Sequence, residues 1–165
     1  LRVELRVLIY LLIETGARLS ELVNLRAEDI RLNDKVPHIA IRPEQNRELK
    51  TEDSRREIPL VGVAEIAMRS CPEGFPYYYD KSTLVSANLM KAFRQRKLLP
   101  SSDHVIYSFR HSFEDRMLEG GLDYGLRCAL MGHKNNRPEY GQGGSLDYRR
   151  SELLKIAHPV QAALF

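Results

Sequence analysis

The feature that most limits how this chain can fold is a change of hydrophobic period, lost and then regained. In residues 1 to 14, apolar residues recur at helical intervals. Leu8, Leu11, Leu12 and Thr15 line one face, and the neighbouring face is apolar too, as in a largely buried helix. From His38 to Leu60 the period becomes two: Ile39 and Ile41, then Ile58 and Leu60, alternate with polar neighbours. Beyond Leu60 the helical period returns. A mainly α domain with one small antiparallel sheet is therefore predicted. The polar run from Glu44 to Glu57, containing Lys50-Thr51-Glu52-Asp53-Ser54-Arg55-Arg56, reads as a solvated hairpin turn, with Lys50 placed to swing into a cleft built elsewhere.

The helical segments bring charged residues to particular places. Thr15-Gly16 breaks the first helix, and Arg18 opens a second whose Leu19, Leu22 and Val23 face inward. A glycine lets backbone approach a ligand closely, and a helix start favours anions. The plainer alternative for Arg18 is an ion pair with Glu14 or Glu21. Residues 61–70 and 82–96 are predicted helices, separated by a loop over 71–80. The second carries Val85, Leu89, Ala92 and Phe93 inward and Lys91, Arg94, Arg96 and Lys97 outward, a basic cluster that partly suits the helix dipole. A helix over 108–119 buries Phe109, Phe113 and Met117 and stops at Gly120-Gly121. Arg110 lies beside that apolar stripe, at the expected edge of the core, where a fixed guanidinium fork matches a phosphate. The next helix uses Leu122, Leu126, Ala129 and Leu130 and ends in Met131-Gly132-His133. Residues 134–145 are polar, with three glycines and Tyr140, and are expected to be mobile. A last helix over 146–157 stops before Pro159.

Composition narrows the classes without choosing one. The 165 residues are 43% hydrophobic and 28% charged, ordinary for a globular domain. A net charge of +3 and a pI near 8.9 permit a polyanionic partner without requiring one. Cys71 and Cys128 have no metal or redox spacing and read as reduced thiols of a cytosolic protein. The apolar run Leu8 to Ile13 is cut by Glu14 and Gly16, too soon to span a bilayer. Glu4 interrupts the opening run, so no signal peptide is expected. The chain begins inside a helical pattern, as expected of a domain belonging to a longer protein.

Taken in order, four blocks carry a specific resemblance. They are Thr15-Gly16-Ala17-Arg18-Leu19-Ser20-Glu21-Leu22, Lys50 ahead of Ile58-Pro59-Leu60, Phe109-Arg110-His111-Ser112-Phe113, and Leu130-Met131-Gly132-His133. Together they resemble the catalytic domain of phage-integrase-type tyrosine recombinases over nearly the whole chain. The resemblance implies the DNA breaking-rejoining fold, mainly α with a three-stranded antiparallel sheet. It implies one catalytic domain over 1–165, with 1–157 the core and 158–165 a C-terminal tail. A separate N-terminal DNA-binding domain is expected to lie outside this sequence.

The resemblance also implies chemistry: cleavage and rejoining of double-stranded DNA through a covalent 3′-phosphotyrosine, with no metal or cofactor. Arg18 and Arg110 would clamp the scissile phosphate, Lys50 would protonate the leaving oxygen, and His133 would touch the phosphate or hold the nucleophile. Lys35 competes with Lys50 but lies ahead of the sheet. Tyr140, seven residues after His133, is the expected nucleophile in preference to Tyr148, although the usual spacing would fall near Gln142. Tyr107 departs from the pattern, standing where the family usually has a histidine. A phenol titrates near pH 10 against about 6.5 for imidazole, so Tyr107 can donate a hydrogen bond but is a poor base. His111 reads as structural and hydrogen-bonded, and His104 as a loop residue. The partner implied is a pair of DNA duplexes bound by a homotetramer, in a cytoplasmic, DNA-associated protein of bacterial or phage origin, with no membrane. Two other classes compete: an impaired DNA-binding module of this fold, and a type IB topoisomerase-like enzyme.

Overall fold

The computed structural model describes residues 1–42, 55–136 and 143–161. Lys50 and Tyr140 lie outside the described residues. The helices are α1 (Val3–Thr15), α2 (Leu19–Val23), α3 (Gly62–Met68), α4 (Ser82–Gln95), α5 (Ser108–Glu119), α6 (Tyr124–Met131) and α7 (Leu146–Leu154). The strands are β1 (Ile30–Arg31), β2 (His38–Ile41) and β3 (Arg56–Pro59), antiparallel in the order β1-β2-β3. Strands β2 and β3 thus form where the period of two appeared, while β1 lies ahead of it. Ile39 faces Ile58 across it, both fully buried, and β1 adds Ile30 beside Ile39.

The helix α1 packs on α3 and α5, while α6 and α7 pack on β3. Leu5, Leu8, Leu11 and Leu12 of α1 join Leu89, Phe113, Met117 and Leu130 in one core. Helices α3 and α4 end at Met68 and Gln95, short of the predicted 70 and 96, and three further details differ from expectation. The last helix ends at Leu154, after which Ile156 turns back to bond Leu153 and offers its carbonyl to Arg116. Leu122 is buried ahead of α6, whose start is capped instead by the Asp123 carboxylate accepting from the Leu126 N–H at 3.1 Å. The 71–80 connection contains one short turn of 3₁₀ helix, Pro76–Tyr78.

One close approach sets up the site. Gly16 ends α1 in the left-handed conformation, at φ 60°. A Cβ built there would lie 2.3 Å from Cδ1 of Phe113, so the fully buried ring sits directly on the glycine. Only a residue without a side chain lets α5 come this near the end of α1. Truncating such a ring typically costs about 3–5 kcal/mol.

Candidate active site

Arg110 occupies the first turns of α5, three residues before Phe113. Its position corrects the expectation of a boundary residue: it is 2% exposed. The closeness of α5 to α1 and α6 puts it inside, where backbone acceptors replace water. Nη1 donates to the Gly16 carbonyl at 2.5 Å, and Nη2 donates to the Met131 carbonyl at 2.5 Å. Nη2 also lies 3.1 Å from Nε2 of His133. Arginine can only donate, so this His133 nitrogen accepts and the ring proton resides on Nδ1. The buried Nε of Arg110 has no hydrogen-bond partner among the described residues.

Arg18 precedes α2. Of the two plain alternatives for its partner, Glu21 is the one found, 2.9 Å from Nη1. The other oxygen of Glu21 accepts the Arg18 backbone N–H at 2.7 Å. That N–H is therefore not free for an anion, and a five-residue helix contributes little dipole, so the expected helix-start site reduces to the Arg18 side chain itself. Glu14 is occupied elsewhere, by Arg116 and His158.

Sequence reasoning missed Arg56, which it placed within a solvated charge run. The side chain is 2% exposed and grips Glu21 with both Nη atoms, at 3.2 and 2.8 Å, while Nε donates to the Leu130 carbonyl at 2.8 Å. The signal was available. Arg56, Ile58 and Leu60 share the inward phase of a period-two strand, and all three are buried.

Arg18 and Arg56 thus meet on the Glu21 carboxylate, with Arg110 and His133 beside them and Glu114 within electrostatic reach of His133. Burial alone would push the Glu21 carboxyl up, but the hydrogen bonds and charge of Arg56, then those of Arg18, leave it below its usual value. Arg110 is held below the usual guanidinium value by burial first, then by the charges of Arg18 and Arg56. His133 is lowered by burial and then by Arg110, so it is neutral at pH 7. Those shifts report mutual proximity and an excess of positive charge, the condition an anion relieves.

The remaining residues fall outside this group. Tyr107 sits at the N-terminal boundary of α5, half exposed, with its ring edge-on to His111 at 5.0 Å. Its phenol lies within electrostatic reach of Arg110. His111 was expected to be hydrogen-bonded; it is exposed and makes this ring contact instead. His104 meets Ser101 Oγ at 2.8 Å in the turn before α5. Lys35, 84% exposed, pairs with Asp147 at 3.0 Å near the start of α7. Tyr148, on α7, packs its ring against Gly144. Among the described residues no cluster of His, Cys, Asp or Glu is arranged to hold a metal, and no helix is long and apolar enough to cross a membrane.

A helical domain with a small antiparallel sheet, bearing a buried arginine cluster built from α2, β3, α5 and the end of α6, has close architectural counterparts among integrases. The integrase from mycobacterium phage Brujita superposes with a TM-score of 0.65 at 19% identity, covering 98% of this chain and 54% of that one. The Tn1549 transposon integrase, solved in complex with transposon right end DNA, gives 0.54 at 18% identity, over 93% of this chain and 54% of that one. The chain belongs to the phage integrase family, whose model matches residues 1–138. Among curated relatives, it is 27% identical over 137 residues to tyrosine recombinase XerA of Pyrococcus furiosus, covering 78% of this chain and 46% of that protein. It is also 27% identical over 176 residues to tyrosine recombinase XerD of Rhizobium meliloti, covering 96% and 53%. The chain therefore spans about half the length of the curated relatives it matches.

Proposed function

We propose that this domain cuts and rejoins DNA as a site-specific tyrosine recombinase. The observation that carries this reading is Arg110, buried and held by the Gly16 and Met131 carbonyls and His133 within an excess of positive charge. Family membership and the DNA held by a structural neighbour support DNA as the partner.

In the reaction, the Tyr140 phenolic oxygen attacks the scissile phosphorus and the bond from phosphorus to the 5′ oxygen breaks. The phenol loses its proton to water, and the leaving 5′ oxygen takes one from Lys50. The phosphodiester survives as a 3′-phosphotyrosine, so attack by a 5′ hydroxyl of another strand reverses the step without an energy source. Negative charge accumulates on the non-bridging oxygens, where the forks of Arg18 and Arg110 supply the fixed positive charge. His133, with its proton on Nδ1, offers one further donor, and the Tyr107 hydroxyl another. A histidine in place of Tyr107 would add a base, so cleavage is expected to be slower than with the family's usual residue. Strand exchange needs two duplexes and hence several protomers; a homotetramer on paired sites, with an additional N-terminal DNA-binding domain, completes the assembly.

The test is a duplex nicked beside the crossover, which traps the covalent adduct because the short cleaved strand diffuses away. The full-length protein is expected to form the adduct, mass spectrometry to place it on Tyr140, and Tyr140→Phe to abolish it. No adduct from the wild type would overturn the activity. An adduct retained by Tyr140→Phe would overturn the nucleophile and move attention to Tyr148.

A further inference from the structure

Arg56 bonds to both halves of the cluster. Through Glu21 it reaches Arg18, since that carboxylate also takes the Arg18 N–H and Nη1. Through Leu130 it reaches the last turn of α6, whose next carbonyl, that of Met131, holds Arg110, and whose chain continues to His133. The guanidinium also fills the space beneath Gly132: a Cβ built there would lie 2.8 Å from Arg56 Nη1, and the residue already adopts φ +63°. Arg18 and Arg110 arise from distant parts of the chain and repel one another. A rigid cross-brace between their supports opposes that repulsion.

We propose that Arg56 is a positioning residue of the phosphate clamp, setting the distance between the Arg18 and Arg110 forks so that both meet one phosphodiester. It touches no substrate itself and acts through Glu21 and the end of α6. This inference rests on reading the cluster as that clamp.

The experiment compares full-length wild type, Arg56→Lys, Arg56→Met and Arg110→Ala on two nicked duplexes. One carries an ordinary scissile phosphodiester and the other a neutral methylphosphonate, which lacks the charge the clamp stabilises. Lysine keeps the buried cation but cannot span two carboxylate oxygens and a carbonyl together. On the phosphodiester, both Arg56 variants are expected to form adduct about 10- to 100-fold more slowly at saturating DNA, with the half-saturating concentration unchanged. On the methylphosphonate the deficit is expected to shrink to within about 3-fold, in parallel with Arg110→Ala. Equal slowing on both substrates overturns the inference, as does a wild-type rate in either Arg56 variant. Unfolding of both Arg56 variants by circular dichroism also overturns it, because Arg56 would then serve the fold alone. If the wild type forms no adduct, or Arg110→Ala matches it on the phosphodiester, the clamp itself falls, and Arg56 has nothing to position.

Discussion

Helix α5 carries a partly buried charged network at each end, and the two are built to opposite rules. Near its C-terminus, Arg116 donates to Glu14 at 3.4 Å and to the carbonyls of Ile13 and Ile156, while the His158 N–H meets the same carboxylate at 2.9 Å. One carboxylate there faces one arginine and a histidine, and backbone carbonyls take the remaining donors. The network ties α1, α5 and the segment after α7 together. Near the N-terminus, Arg18 and Arg56 share Glu21, and Arg110, within reach of the same charges, keeps a buried Nε without a partner among the described residues. Charge balance marks the first network as structural. The second holds three arginines against Glu21, the excess of positive charge on which the proposed phosphate clamp rests.

The comparison can be broken most sharply by the arginines themselves. Arg110→Ala is expected to slow adduct formation about 10³-fold, roughly 4 kcal/mol, whereas Arg116→Ala leaves the rate per folded molecule unchanged. Equal rate losses, read by single-turnover kinetics, would erase the distinction. Next comes Glu14→Ala, which strands Arg116 and His158 and should lower stability by about 3 kcal/mol in denaturant melts without changing the chemistry. Gly16 belongs to both regions, since it carries the Phe113 ring and offers its carbonyl to Arg110. Gly16→Ala is expected to cost about 2 kcal/mol and to slow cleavage as well, because a Cβ at φ +60° must displace the ring.

The smallest effect is a pH dependence. The folded pKa of His133 lies below its ordinary value of 6.5, so the unfolded chain takes up this proton first as pH falls. Its contribution to stability is therefore complete above pH 6.5 and declines below it, toward the folded pKa. Protonation also removes the Nε2 acceptor that faces Arg110. A His133→Gln variant should show a flatter stability profile between pH 7 and about pH 5. An unchanged profile would separate His133 from the cluster.

Much of this was legible in the chain, and the rest was hidden for identifiable reasons. The period change at His38 located the sheet, and Phe113 with Met117 located the core face of α5. Arg18, Arg110 and His133, singled out from their motifs, do converge. The depth of Arg110 was not legible, because it depends on Gly16 and Met131 carbonyls that only the packing of α1 and α6 against α5 supplies. Arg56 was obscured by its neighbours: the charged and polar run from Lys50 to Glu57 masks the single inward phase that β3 imposes. The clasp of Glu14, Arg116 and His158 joins residues more than a hundred positions apart, beyond any local pattern.

The most direct measurement is a structure of the full-length protein trapped as a covalent adduct on a nicked duplex. The expected result is a scissile phosphate whose non-bridging oxygens lie within hydrogen-bond distance of both the Arg18 and Arg110 guanidinium groups, with Glu21 still bridging Arg18 and Arg56. A phosphate bound elsewhere, with Arg110 making only its contacts to Gly16, Met131 and His133, would contradict the assignment of this cluster as the clamp.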